Sequence, residues 1–473
     1  MGRNRGQGFL YGVFLLVACL VLLGVKVECR KVKWAVGDVA PACRAESVSI
    51  AEFGGVGDGA TVNTIAFQKA IDHLSEYSDK GGGQLYIPPG KWITGSINLT
   101  NHFTLYLDKD AVILGSQDPE DWPLIPPLPS YGIGRDGGHL RYSSLINGYN
   151  LTDVVITGDN GTIDGQGAIW WEKFHKKKLK NTRGYMVELM HSKDIIISNL
   201  TFINSPNWNL HPVYSSNIFI HHVTILAPLR SPNTDGIDPD SCSYVRIEDC
   251  YVESGDDIIA IKSGWDEYGY KYGMPSQHIV IRRIVGVSPT SAIIALGSEM
   301  SGGIQDVHAE DIEAINSEAG VRIKSSPGRG GFVRDIYVSG MKMVNMRWAF
   351  TTTGSYGDHP GGKFDPKALP VVERIGISHV MASNVSIAGK MEGIPQAPYK
   401  NFCFTNITMT MAKSKHPAWN CTNVEGFSSN VTPEPCKLLQ IKPTGTEAFC
   451  GPQRFEIPEQ TNMKPCRSVK PLN

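Results

Sequence analysis

Short β-branched tripeptides punctuate this chain, at intervals that mostly fall between the low twenties and the thirties. Val154-Val155-Ile156, Ile195-Ile196-Ile197, Ile218-Phe219-Ile220 and Val245-Arg246-Ile247 come first. Ile279-Val280-Ile281, Ile336-Tyr337-Val338 and Ile375-Gly376-Ile377 continue the series. A period of that length marks an architecture of stacked repeats. Strands without helices between them exclude βαβ folds, and a sandwich or barrel would favour tight hairpins over asparagine-rich turns. The expectation is an all-β chain wound as a single-stranded, right-handed parallel β-helix. Each coil would turn its apolar residues inward, and neighbouring coils would pair about 4.8 Å apart. One amphipathic helix is expected, from Ile65, Phe67, Ala70, Ile71 and Leu74 behind the N-cap candidates Asn63 and Thr64. It would cap the first coil.

The ends of the chain point to an exported compartment. Arg3 and Arg5 precede an apolar run from Phe9 to Val25, and Lys26 follows. Residues 1–29 therefore read as a signal peptide, or as a signal-anchor that would hold the protein at a membrane if retained. Eight Asn-X-Ser/Thr triplets, at Asn98, Asn150, Asn160, Asn199, Asn384, Asn406, Asn420 and Asn430, fit a glycosylated extracellular protein. Cys403, Cys421, Cys436, Cys450 and Cys466 crowd the last coils and the tail, with Cys43 a sixth candidate for pairing. Cys242 and Cys250 either bridge or lie in the core. The domain reading is a catalytic β-helix over 45–410 and a cysteine-rich tail over 411–473.

Other classes fall away. Lys plus Arg is 45 against 46 for Asp plus Glu, which argues against nucleic-acid binding driven by overall charge. No CxxC pair of zinc type is present, so no metal site is expected. The glycine-rich turn Phe53–Gly59 has the wrong spacing and no leading strand for a dinucleotide loop. No cofactor is called for, and nothing asks for more than a monomer.

The chemistry is carried by carboxylates on successive coils. Asp235 and Asp257 lie 22 residues apart, about one coil, in the turn-rich segments Asn233-Thr234-Asp235-Gly236 and Gly255-Asp256-Asp257. They should stack on one face, where like charges raise at least one pKa and equip the site for acid–base work. Asp256 and Asp257 can share that face only if the chain bends between them. Two coils on, Arg322 and Lys324 point to the same side, about 10 Å from Asp256 by strand spacing. That is the reach from a scissile bond to the carboxylate of a neighbouring sugar. Trp265 is a candidate sugar platform, and Lys262 would add positive charge to the groove. His211, His278 and His308 read as structural.

The set NTDG, GDD and RIK, in this order, resembles glycoside hydrolase family 28, the polygalacturonases. The Phe53–Gly59 turn, Gly81-Gly82-Gly83 and Ile87-Pro88-Pro89-Gly90 match as well, and the likeness covers roughly residues 45–410. The resemblance implies a pectin-lyase-like β-helix, a secreted cell-wall enzyme and inverting hydrolysis of α-1,4-galacturonosidic bonds in pectin, with no cofactor. It implies Asp256 as the proton donor, and Asp235 and Asp257 as the pair that holds and deprotonates water. Asn233, Arg322 and Lys324 would bind substrate. Inverting carboxylates ordinarily stand about 6.5–9.5 Å apart.

The family's Gly-His-Gly motif is missing; Thr290-Ser291-Ala292 stands there. The alternative function is therefore a catalytically weakened pectin-binding protein. A lyase on the same coil would need calcium and an arginine base. Gly297-Ser298-Glu299-Met300-Ser301-Gly302-Gly303 resembles exo-acting members.

Overall fold

The computed structural model describes residues 44–441 except 137 and 414. The leader, Cys43, Cys450 and Cys466 lie outside the described residues. Nearly every strand pairs in parallel with the strand one coil away, and the antiparallel exception is the short pair Leu124–Ile125 and Arg141–Tyr142. The parallel β-helix expected from the tripeptide spacing is what the chain builds.

The tripeptides form one interior column. Leu105 pairs with Ile156, Ile156 with Ile197, and Ile197 with Ile220. The column continues through Ile247, Ile281, Ala309, Val338, Ile377 and Phe404. Ala309 and Phe404 are not β-branched, so their coils escaped the sequence pattern. All these side chains are essentially sealed from solvent, and their burial is the main stabilising term of the fold. The long strands bend where residues such as Asp194, Asn217, Asp306 and Asp335 adopt positive φ of 52–59°. Asp and Asn tolerate that region better than other side chains do.

Helix α1 (Thr64–Ser75) buries Phe67, Ala70, Ile71 and Leu74 against the first coils. Ile65, expected on the same face, is 72% exposed. Asn63 precedes the helix without capping it through its side chain. Its amide instead ties the glycine-rich turn, accepting from Val56 N at 2.7 Å and donating to the carbonyl oxygens of Val56 and Thr61. Two short helices were not expected: α2 (Ala168–His175) and α3 (Asp266–Tyr272). Both are inserted in turns and are too short to show a period. Coiling also continues beyond residue 410, since Val424–Thr432 pairs in parallel with Tyr399–Met411. Cys421 is bonded to Cys436, Cys403 is also disulfide-bonded, and Cys242 and Cys250 are buried free thiols.

One sheet carries the site. Its strands are Ile97–Asn98, Ile146–Tyr149, Val187–Met190 and Leu210–Val213. Bridges at Ile237 lead from Leu210 to Ile259–Ile261, and Ala292–Leu296 and Ala319–Lys324 follow.

Candidate active site

Asp235 emerges from the turn Asn233–Gly236, where Asn233 takes a positive φ of 57°. One coil later the strand Ser243–Glu253 ends, and the chain bends at Gly255 and Asp256 before Ile259–Ile261 begins. A Cβ at Gly255 would meet the Leu229 carbonyl oxygen at 2.2 Å, so only glycine lets the bend press against the preceding coil. The bend frees Asp256 and Asp257 from strand alternation. One carboxylate oxygen from each of Asp235, Asp256 and Asp257 lies within 4.8 Å of the other two.

Environment separates the three acids. Asp256 is half-buried, and its backbone nitrogen donates to Ser254 Oγ at 3.1 Å. Burial, with the charges of Asp235 and Asp257 added, pushes its carboxyl up to about 7. Burial works to raise Asp257 too, but Lys324, Lys262 and the Ser291 hydroxyl outweigh it and hold that carboxyl below its ordinary range. Lys324 Nζ pairs directly with Asp257 Oδ2, and Ser291 Oγ and Ala292 N both donate to Oδ1. Asp235 is raised by burial and by Asp257, against the pull of Lys262 at 3.1 Å. The outcome is one acid that keeps its proton near neutrality beside one that stays charged, which is how adjacent carboxyls divide acid and base roles. Three carboxylates so close could also draw a cation, but here two buried ammonium groups supply the counter-charge.

Lys262 is shared. Its ammonium lies 3.1 Å from Asp235 Oδ2 and 3.4 Å from Glu299 Oε2, over the Trp208 ring. Glu299 in turn accepts from Arg135 at 3.0 Å and from Ser298 Oγ at 3.0 Å. Arg135 comes from the segment between Ile125 and Arg141, which crosses the face of the site-bearing sheet. On one side Asp136 holds Arg183, whose Nη2 donates to Asn233 Oδ1 at 2.8 Å. On the other side Ser130 bonds Tyr214, Tyr131 donates to Asp240 at 2.5 Å, and Arg135 reaches Glu299 and Asp358.

The structure thus brings together Asp235, Asp256, Asp257, Lys262 and Lys324. Arg322, on the same strand as Lys324, is one-fifth exposed and bonded to Glu318 at 3.3 Å. Lys324 does not wait for a second sugar alongside Arg322, because its chain reaches back to Asp257. Asn233 spends its side-chain oxygen on Arg183. Trp265 is corrected: it is 3% exposed, and the Arg135 guanidinium covers its ring at 4.2 Å. The crossing segment takes the face that a sugar would need. His211 is fully buried between Glu188 at 3.1 Å and Asp240 at 3.4 Å, and His278 and His308 both bond Asp306. Arg135, Asp136 and Asp238 were missed by sequence reasoning. The segment around Glu299 had been noticed only as a motif.

A family model described as Glycosyl hydrolases family 28 matches residues 136–433. A second, Rhamnogalacturonase A/epimerase, pectate lyase-like, matches residues 47–112. The chain is 59% identical to a "Probable polygalacturonase" of Vitis vinifera over 453 residues, 95% of this chain and 92% of the relative. Among solved structures it resembles a hyperthermoactive exopolygalacturonase from Thermotoga maritima. There the TM-score is 0.71 and the identity 28%, with 82% of this chain and 91% of the other covered. A family 28 exopolygalacturonase from Yersinia enterocolitica shares the fold at TM-score 0.65 and 19% identity, over 80% of this chain and 77% of the other.

Proposed function

The chain belongs to glycosyl hydrolases family 28, and from that premise we propose that it hydrolyses the α-1,4-galacturonosidic bonds of pectic polygalacturonan from the chain end. The observation that carries this reading is Asp256 raised to about 7 beside an Asp257 held anionic.

Asp256 gives its proton to the leaving glycosidic oxygen as the C1–O bond breaks. A water oxygen forms the new bond to C1 and loses its proton to the facing carboxylates. Oxygens within 4.8 Å of one another can hold one water between Asp235 and Asp257, given O–H···O lengths of about 2.7–2.8 Å. Asp235, whose carboxyl lies above its ordinary range, is the better proton acceptor. Asp257 stays charged and faces the cationic sugar of the transition state. Both are tied to ammonium groups, which blunts them as nucleophiles and favours attack by water with inversion. Arg322, partly exposed on the same strand as Lys324, is the side chain we assign to the substrate carboxylate. Ser291 bonding Asp257 supports a working site over the weakened binder, although the family histidine is absent.

Action from the chain end is supported by the crossing segment, whose contacts run from Arg183 before Asp235 to Glu299 and Asp358 after it, over the face of the site-bearing sheet. Export to the cell wall is supported by the sequons, all exposed but for Asn199, and by the Cys421–Cys436 disulfide. Among the described residues no helix is long and apolar enough to cross a membrane.

The test is incubation of the purified protein with oligogalacturonides, following reducing ends alongside the absorbance of unsaturated products. Reducing ends without unsaturation are expected, falling by about 10²–10⁴ in Asp256→Asn with the fold intact. Unsaturated, calcium-dependent products would mean a lyase, and binding without products would mean a scaffold.

A further inference from the structure

Glu299 and Arg135 take no part in the chemistry proposed above, yet both are built into its charge balance. Glu299 is 2% exposed, and its two carboxylate oxygens face different cations: Oε1 faces Arg135 at 3.0 Å and Oε2 faces Lys262 at 3.4 Å. The other direct partner of Lys262 is Asp235 at 3.1 Å, with the Asp238 and Asp257 carboxyls also acting on its charge. The backbone reinforces the arrangement, with Ser263 N donating to the Glu299 carbonyl at 2.6 Å. Arg135 itself bridges Glu299 and Asp358 while its guanidinium sits over the Trp265 ring.

We propose that Arg135 and Glu299 are positioning residues that set how firmly Lys262 holds Asp235. The inference rests on the reading of Asp235 as the group that accepts water's proton. Two carboxylates compete for one buried ammonium. Arg135 satisfies Glu299 from the far side, so the lysine is left to Asp235. The other charges in reach are Asp238, Asp257 and Asp256 around Asp235 and Lys262, Arg329 around Glu299, and Lys324, which acts on Asp235, Asp257 and Glu299 alike. Lys324 pairs directly with Asp257, and only Lys262 among them pairs directly with both competing carboxylates.

The arrangement makes two substitutions act in opposite directions. In Arg135→Met, Glu299 keeps the Ser298 hydroxyl and, as its one directly paired cation, the lysine, which it draws away from Asp235. The acid limb of kcat/KM should then move up by about one pH unit, the low end of what an adjacent opposite charge does to a carboxylate. In Glu299→Gln the competitor is gone, Lys262 stays on Asp235, and the limb should move down. Arg135→Lys keeps a cation and should keep the wild-type limb. The double variant should follow Glu299→Gln, because Arg135 acts through Glu299.

The experiment measures kcat/KM for release of galacturonate from trigalacturonate against pH, with circular dichroism to check each fold. Opposite shifts with the double variant matching Glu299→Gln support the proposal. Shifts in one direction, or loss of rate at an unmoved limb, would overturn it. If Arg135→Met fails to fold, the downward shift in Glu299→Gln still decides. A wild-type protein that releases no galacturonate would sink the functional reading instead, so the two failures are distinct.

Discussion

Arg135 and Asp136 are neighbours in sequence but hold different coils: Arg135 pairs with Glu299 at 3.0 Å, and Asp136 with Arg183 at 2.8 Å. Each partner is one contact away from the catalytic turn, through Lys262 to Asp235 on one side and through Asn233 on the other. A single stretch of turn therefore obstructs the groove and braces the acids beside the obstruction.

Removing the obstruction should change the products. Excision of residues 127–139 with a short glycine linker is expected to turn release of monomer into release of mixed oligomers. Viscosity of polygalacturonate would then fall before much galacturonate appears. Chromatographic sizing of early products checks this, and continued release of monomer alone would contradict it. Total turnover should also drop, because the excision removes Arg135 and Asp136.

The rate should follow a narrow bell in pH. Asp256 must be protonated to act, and its carboxyl lies at about 7, so kcat/KM should fall as pH rises through that value. Asp235 must be ionised and is raised by burial, which lifts the acid limb above the usual carboxylate range. A rate still climbing above pH 8 would contradict the assignment of Asp256.

Stereochemistry gives an independent check. Water held by Asp235 and Asp257 should yield the β-anomer of galacturonate first, seen by proton NMR before mutarotation. An initial α-anomer would instead mean that one of these aspartates attacks the sugar itself.

Asp238 offers a stability prediction. It is fully buried, and neither carboxylate oxygen has a hydrogen-bond partner among the described residues. Burial, then the charge of Asp235, raises its carboxyl well above the ordinary value. A raised folded-state pKa leaves stability intact below the unfolded value and erodes it as pH climbs toward the folded one. Asp238→Asn removes that titration, so Tm should rise relative to wild type at pH 7 and differ little at pH 4. Equal shifts at both values would show that Asp238 does not titrate in this way.

The coil and the three aspartates were legible because both depend on local pattern. A tripeptide such as Ile195-Ile196-Ile197 declares its strand, and the 22-residue step from Asp235 to Asp257 declares a shared face, whereas the bend at Gly255 that brings Asp256 alongside was left open by the sequence. Contacts set by distant turns were not legible. Trp265 read as a free aromatic because nothing near it in sequence reveals Arg135 lying on its ring. Lys324 and Arg322 read as a matched pair because strand alternation gives a side but not a reach, and the lysine stem is long enough to find Asp257.

The interior column keeps its vertical step while the sequence between its members varies: Ile197, Ile220, Ile247 and Ile281 stack directly although different lengths of chain separate them. Turn length is thus free to drift under selection while the catalytic geometry is inherited unchanged. A change in the length of one turn therefore need not displace Asp235, Asp256 or Asp257.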